Sequence, residues 1–512
     1  MGFSKKNKEL LILMALILLK FTMQQFLIDP IYELHRDEFL YLDQANHIAM
    51  GYSSVPPLTS WISYIIYLLG NSVFWIKFFP ALFGALTIVI VWKTVKELNG
   101  AMYAKILAST CVLFSSLLRL NTLYQPNSFD VLAWTMTFFY FIKYVNSNEK
   151  KWIYCAAISF GIGFLNKYNI VFLALGLIMA LLISNSRSLF LKREILISIG
   201  IVLLIIAPNV LWQYNNGFPV INHMQELADT QLVNVQRMSF LKNQFFFFLG
   251  AVFVIPFALY GLLFSTQLKK FHFLFWSFIF TLTLFTYLKA KDYYAIGLYP
   301  IYIAIGSVYI SRIMNHKVGY IIKPILLIMP VLATFLSFDI AFPNKRPEYI
   351  IKHQDTYRDL GLLRWEDGKD HEIPQDYADM LGWKELASKV KLAMQKIDSP
   401  ESTLVLCDNY GQAGAINFYS NGAIKAVSFD ADYLNWFDLR IQYTNLIRVK
   451  NRDERGTEFI ETSPYFESSS IMDSITNKYA REFGTTIFIF EGSKVDINKR
   501  IQEELHEKNN EN

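Results

Sequence analysis

Asp37 and Glu38 stand side by side in HRDEFLYLDQANHIAMGYSSVPPLTSWI, His35–Ile62, directly after the first apolar run, Leu10–Ile28. A carboxylate pair has no evident packing role there. It can take a proton from a hydroxyl as a general base, ligate a divalent ion, or simply stay solvated as loop acids do. Two further groups invite the same question. Gln125 and Asp130 in QPNSFD sit at the start of an apolar run, where Asp130 can orient a cation or hydroxyls, although a helix dipole favours an acid at that position anyway. His223, Gln225, Glu226 and Asp229 offer oxygen and nitrogen ligands; a His and a Glu three apart arise often by chance, so surface polarity is the competing account. Gly411 and Gly414 in DNYGQAGAINFY superficially resemble a nucleotide-binding turn, but the spacing is not GxGxxG and strand-to-helix packing explains them.

What must position these residues is a membrane. The chain of 512 residues is 53% apolar and 16% aromatic, too greasy for an ordinary soluble protein. Apolar runs near the length that spans a hydrocarbon core recur at Leu10–Ile28, Val73–Trp92, Tyr103–Leu120, Phe129–Val145, Trp152–Leu165, Ile170–Ile183, Ile195–Trp212, Phe245–Phe264, Phe271–Leu288, Tyr294–Ile313 and Ile321–Phe338. They predict about eleven crossings. Lys5, Lys6 and Lys8 precede the first run with no small-x-small cleavage site after it, so an uncleaved first helix is expected. Basic residues in alternate short loops set the N-terminus in the cytoplasm. With an odd number of crossings, the His35–Ile62 loop and everything after Phe338 lie outside. The net charge of +5 follows topology and forms no basic patch interleaved with exposed aromatics, which argues against nucleic acid as a partner. Cys111, Cys155 and Cys407 give no disulfide or metal framework.

Within the external loop, Leu40, Ala45, Ile48 and Ala49 recur at helical spacing, with Asp43, Gln44, Asn46 and His47 covering the rest. This predicts a short interfacial helix lying on the bilayer, followed after Pro56–Pro57 by a second juxtamembrane helix, Leu58–Leu69. Tyr52, Trp61, Tyr64 and Tyr67 line a lipid or sugar surface or form an aromatic interfacial belt. From Asp339 the composition changes. Thr403–Asp408, Ala423–Val427, Asn445–Val449 and Thr485–Phe490 read as strands, Trp383–Lys396 and Asp473–Phe483 as helices, and the tail from Lys499 as a frayed polar end. The expected fold is a polytopic α-helical membrane domain, 1–338, joined to an external α/β domain, 339–512.

HRDEFLYL, GYSSVPPL, QPNSFD, LNKYN (Leu165–Asn169), YYAIGLYP (Tyr293–Pro300) and DNYGQAGAINFY (Asp408–Tyr419) together resemble the bacterial glycosyltransferase family 39 proteins. These group with protein O-mannosyltransferases and lipid A aminoarabinose transferases in the multi-spanning GT-C class. The resemblance implies an inner-membrane enzyme with a periplasmic C-terminal domain, inverting transfer, and a sugar donor carried on a polyprenyl phosphate. The acceptor would be a lipid, glycan or protein hydroxyl, with membrane lipids as the surroundings. It makes Asp37 the base, with Glu38 orienting the site or binding a divalent ion, and Arg36, Tyr52, Pro57, Gln125 and Asp130 candidates for substrate contact. A phosphate leaving group needs cationic and amide donors more than a general acid. External basic residues are exceptions to the topology rule, and snorkelling is their common explanation. Among them Lys291 beside Tyr293 and Tyr294 is the first candidate for the phosphate, then Lys167 and Lys289. The aminoarabinose branch carries a lysine just before its proline pair where Val55 stands here, so that contact must come from elsewhere. No cofactor is required on this reading; a divalent ion on Glu38, or on His223 and Glu226, is the one allowed. The competing reading is a non-catalytic transporter or flippase of lipid-linked sugars, which often shows related halves and broken helices near the midplane; here the halves do not resemble each other and the acids cluster at an external loop instead of mid-membrane, and a membrane-anchored binding module would leave the acid pair unexplained.

Overall fold

The computed structural model describes residues 5–185 and 187–511. The first part is helical: α1 Lys5–Gln24, α2 Arg36–Asp43, α3 Leu58–Leu68, α4 Val73–Glu97, α5 Met102–Leu113, α6 Pro126–Ser147, α7 Lys150–Phe164, α8 Val171–Ile183, α9 Arg193–Asn215, α10 Pro219–Thr230, α11 Arg237–Phe247, α12 Val254–Phe264, α13 His272–Tyr287, α14 Tyr299–Ile313 and α15 Lys317–Leu336. Among the described residues five helical segments are long and apolar enough to cross a membrane by length and composition. They include α4, α9 and α15, and the segments that end in α13 and α14. Two of the expected spans are broken. Tyr103–Leu120 stops at Leu113 and resumes as one turn, Leu117–Leu120, and Phe245–Phe264 is interrupted between α11 and α12.

The helices sort into a centre and a lipid-facing rim. Tyr302, Ile303, Ala304, Val308 and Ile310 of α14 are fully buried, whereas Leu203, Leu204 and Leu211 of α9 and Ile321, Ile325 and Phe335 of α15 are exposed. Apolar side chains on so large an uncovered surface fit hydrocarbon, not water. Helix association in lipid rests on close packing at small residues. At Gly306 a Cβ would lie 2.2 Å from the Val254 carbonyl oxygen, so only glycine lets α14 meet α12.

The His35–Ile62 loop departs from the expectation of an interfacial helix. α2 covers Arg36–Asp43, starting and ending earlier than the expected Leu40–Ala49 stretch, and is closed by a capping box: His35 accepts from the Asp37 N–H at 3.2 Å, and Glu38 Oε2 accepts from the His35 N–H at 2.7 Å. Its apolar face, however, is covered by protein. Phe39 is fully buried among Trp383, Phe418 and Tyr419. The expected stripe is half right: Leu40 and Ala45 are buried but Ile48 is exposed, and Asp43 and Gln44, expected on the polar side, are buried; a hydrophobic stripe does not say whether lipid or protein covers it. The second loop helix, α3, is present within a residue of its expected end.

The C-terminal part comprises α16 Trp383–Met394, β1 Thr403–Cys407, α17 Tyr410–Tyr419, β2 Ala426–Ser428, β3 Asn445–Lys450, β4 Phe466–Ser474, β5 Thr486–Ser493 and α18 Ile497–Glu511. The sheet order is β2-β1-β3-β5-β4, with β1 parallel to β2 and β3. β5 runs antiparallel to β3 and β4. Three expectations are corrected. Asp473–Phe483 is not a helix but the end of β4 and a turn, because Phe466–Ser474 pairs along the edge with Ile471 opposite Phe488. The strand expected at Ala423–Val427 starts later, at Ala426. The tail is helical, since Ile497 and Ile501, four apart, bury one face beneath the sheet.

This domain turns the carboxyl ends of β1 and β2 toward α2, the edge of a parallel sheet where ligand sites gather. Asp43 Oδ2 accepts from the Asn417 amide and the Tyr433 hydroxyl, each at 2.7 Å. Asp432 accepts from the Gln44 side chain at 2.8 Å and the Ser53 N–H at 2.7 Å. Phe39→Ala should therefore loosen the two domains from each other, with a loss of about 3–5 kcal/mol. A clear drop in melting temperature of the detergent-solubilised protein is the expected result.

Candidate active site

The adjacent acids have different surroundings. Glu38 is fully buried. Both its oxygens accept from Lys77 Nζ at 2.7 Å, Oε2 also from the His35 N–H at 2.7 Å, and Oε1 from the Tyr124 N–H at 2.6 Å. Every oxygen is engaged, and the carboxylate ties α2 to α4 and to the turn before α6. Asp37, one residue earlier on the helix, keeps a third of its side chain open. Its Oδ1 accepts from the Tyr410 hydroxyl at 2.7 Å and its Oδ2 from Gln125 Nε2 at 3.1 Å. Burial alone would raise this carboxyl, but His35, the Tyr410 hydroxyl and the Arg36 and Lys291 charges outweigh it and hold the group below the usual carboxylate range. Asp37 is thus ionised, oriented and accessible at neutral pH.

Motifs far apart in the chain converge here. Asp130 at the start of α6 is buried and accepts from Trp134 Nε1 and Asn169 Nδ2, each at 3.1 Å. The same Asn169 amide donates to the Tyr294 carbonyl at 2.9 Å. Lys167 donates to Asn127 Oδ1 at 2.7 Å, and its ammonium lies 4.3 Å from the Tyr294 ring centre and 5.1 Å from that of Tyr293. Burial lowers this lysine to about 8, with Asp130 opposing the fall. Lys291 lies close enough for its charge to act on both Asp37 and Lys167, and it is paired with Glu366 at 2.6 Å. Burial would lower it, but Glu366 and Tyr294 raise it. QPNSFD, LNKYN and the YY segment thus form one wall of amide and cationic donors.

The other sequence candidates lie around this core. The Arg36 guanidinium stacks on the Tyr410 ring at 4.3 Å, and its Nε is buried without a hydrogen-bond partner. Tyr52 is occupied internally: its hydroxyl meets Ser60 Oγ at 2.7 Å and the His47 carbonyl at 2.9 Å. Pro57 caps α3, whose first N–H, on Leu58, reaches the Leu165 carbonyl at 2.8 Å. Val55 is buried. Lys289 sits half-exposed in the left-handed region at φ 52°, outside the ion pairs and hydrogen bonds of the wall. His223 is half-buried and feels Asp432, Lys291 and Asp430, while Glu226 points to the exterior. Among the described residues no group of three or more His, Cys, Asp or Glu is gathered as a metal site. The site also includes residues that sequence reasoning missed. Tyr410 belongs to a motif explained there as packing, and Glu366 to a loop with no pattern; neither carries a local signal.

A family model described as dolichyl-phosphate-mannose-protein mannosyltransferase matches residues 54–212. Lipid A galacturonosyltransferase RgtD of Rhizobium johnstonii is 22% identical over 217 residues, 41% of this chain and 45% of that protein. The chain therefore aligns with less than half the length of this relative. The crystal structure of ArnT from Cupriavidus metallidurans in the apo state superposes with a TM-score of 0.65 at 12% identity, over 97% of this chain and 99% of that one. The fold is that of ArnT. The likeness extends to ArnT bound to undecaprenyl phosphate, with a TM-score of 0.62 at 13% identity over 96% of this chain and 98% of that one. It extends also to the archaeal oligosaccharyltransferase AglB from Archaeoglobus fulgidus, with a TM-score of 0.50 at 10% identity over 88% and 70%.

The contrast between the two acids can be measured. Lys77→Met leaves Glu38 buried without its cation and should cost about 3–5 kcal/mol. The thermal stability of Lys77→Met should fall clearly below that of Asp37→Asn, which alters a partly open side chain.

Proposed function

We propose that this chain is an integral-membrane glycosyltransferase that moves a sugar from a polyprenyl-phosphate donor to a hydroxyl of a lipid, glycan or protein on the external side, inverting the anomeric centre. The observation that carries the reading is Asp37: an ionised, partly open carboxylate fixed through both oxygens, within the electrostatic reach of Lys291. In a single displacement the acceptor oxygen bonds to the anomeric carbon as the bond to the phosphate oxygen breaks. The hydroxyl proton passes to Asp37, and the bonding electron pair leaves on the phosphate. Lys167 and Lys291 hold that phosphate, with Tyr293 and Tyr294 framing it; Lys291 exchanges its Glu366 partner for the donor.

The surroundings of the neighbouring acid support inversion. A retaining double displacement that keeps nucleophile and base separate, as in glycosidases, uses a second free carboxylate about 5 Å from the first. Glu38 is engaged by Lys77 and two backbone N–H groups, which leaves one open carboxylate in the pair. No step above calls on a metal. On the charge topology the N-terminus is cytoplasmic and the residues after 338 are periplasmic.

The sugar and acceptor can be found by comparing lipids, surface glycans and secreted proteins of a deletion strain with the parent by mass spectrometry. Loss of one glycosylated species, restored by the intact gene and not by Asp37→Asn, is the expected outcome. Asp37→Asn should lower turnover by about 100- to 10,000-fold while membrane abundance and undecaprenyl-phosphate binding persist. Ordinary turnover in that variant would remove Asp37 from the role of base.

The pH dependence of donor binding follows from Lys167. Its folded value, about 8, lies below that of a free lysine, so its charge is present below pH 8 and is lost as pH rises through it. Undecaprenyl-phosphate affinity should weaken on crossing pH 8. In Lys167→Met the affinity should be weaker at neutral pH and that step should disappear.

A further inference from the structure

Tyr410 is held more firmly than a packing residue requires. Asn409 caps α17 through its side chain, accepting from the Gln412 N–H at 3.1 Å, and the Tyr410 N–H donates to Asp430 Oδ2 at 3.2 Å. The Arg36 guanidinium lies over the ring, and Gly411 makes room for that side chain, since a Cβ there would come within 2.7 Å of Arg36 Cγ. Toward ionised Asp37 the hydroxyl is the donor: burial first, then Asp37, keeps it protonated far above neutral pH. Its acceptor is Asp37 Oδ1.

We infer that Tyr410 is a positioning residue for transfer: from the C-terminal domain it fixes one oxygen of Asp37 while Gln125 fixes the other from the membrane domain, so that the reacting carboxylate is completed across the domain interface. This rests on the reading of Asp37 as base. Domain docking itself does not need the bond. It is secured by Phe39 among Trp383, Phe418 and Tyr419, and by Asp43 on Asn417 and Tyr433. The two donors use two of about four lone-pair sites on the carboxylate, leaving capacity on the open side for an acceptor hydroxyl. A carboxylate held this way swings less, and small misplacements of a reacting group cost rate more than they cost binding.

The test compares Tyr410→Phe, which keeps the ring and removes the hydroxyl, with Tyr433→Phe, which removes a docking bond from the same interface, and with Asp37→Asn. Each is measured in membranes of the complemented deletion strain, with product defined as the species lost on deletion, and as purified protein binding undecaprenyl phosphate. Tyr410→Phe should lower turnover about 10- to 100-fold. Its undecaprenyl-phosphate affinity should stay within about twofold of the parent, as for a group that acts on the base and not on the phosphate. The acid limb of its pH–rate profile should move up toward the ordinary carboxylate range, because a hydrogen bond to the ionised form has been lost. Tyr433→Phe should lower the melting temperature while its acid limb stays in place. An unmoved acid limb with preserved turnover in Tyr410→Phe overturns the assignment, as does the same shift in Tyr433→Phe. Asp37→Asn separates the two readings. If it is inactive while Tyr410→Phe behaves as the parent, only Tyr410 loses its role; if it is active, the base itself has been misassigned.

Discussion

A single buried carboxylate, Glu38, holds the site in register. Burying a charge is costly unless it is paired and hydrogen-bonded, and Glu38 is satisfied from three directions: the cap of its own helix at His35, Lys77 on α4, and the Tyr124 N–H at the entrance to α6. Those groups meet in one arrangement. α2 therefore cannot rotate or slide against the membrane helices without stranding a charge, and Asp37, one residue away, inherits that fixed orientation. The acid that does no chemistry on this reading is the reason the other can.

The second joint is Asp43, at the far end of the same short helix. It takes hydrogen bonds from Asn417 and Tyr433, as Glu38 takes them from the membrane side. α2 is thus a connector, with one acid directed at each domain and the aromatic cluster around Phe39 closing the space between. Asp37 lies at the seam, where the carboxyl ends of β1 and β2 reach the membrane domain.

Features that declare themselves locally were legible in the sequence. The apolar runs mark the helices because hydrocarbon demands continuous apolar length, and α4, α9 and α15 lie within a few residues of their expected bounds. The acid pair, QPNSFD, LNKYN and the YY segment were all singled out, and they do converge. What the sequence hid were relations between distant segments. Amphipathic spacing in α2 cannot distinguish a lipid surface from the face of α17, so a buried connector looked like an interfacial helix. Glu38 and Asp37 are indistinguishable until Lys77 and Tyr124 are placed. The edge strand β4 carries a run of serines in place of alternating apolar residues, and only its pairing with β5 makes it a strand. The last helix looked frayed because two isoleucines four apart are a weak signal until a sheet lies beneath them.

The pairing of Tyr410 with Asp37 spans 373 residues of chain. During synthesis the first loop is made long before β1 and α17 exist. Until they arrive, Asp37 has Gln125 on one oxygen and nothing from the C-terminal domain on the other. Translation order therefore leaves a ribosome-bound or truncated chain with Asp37 held through one oxygen alone.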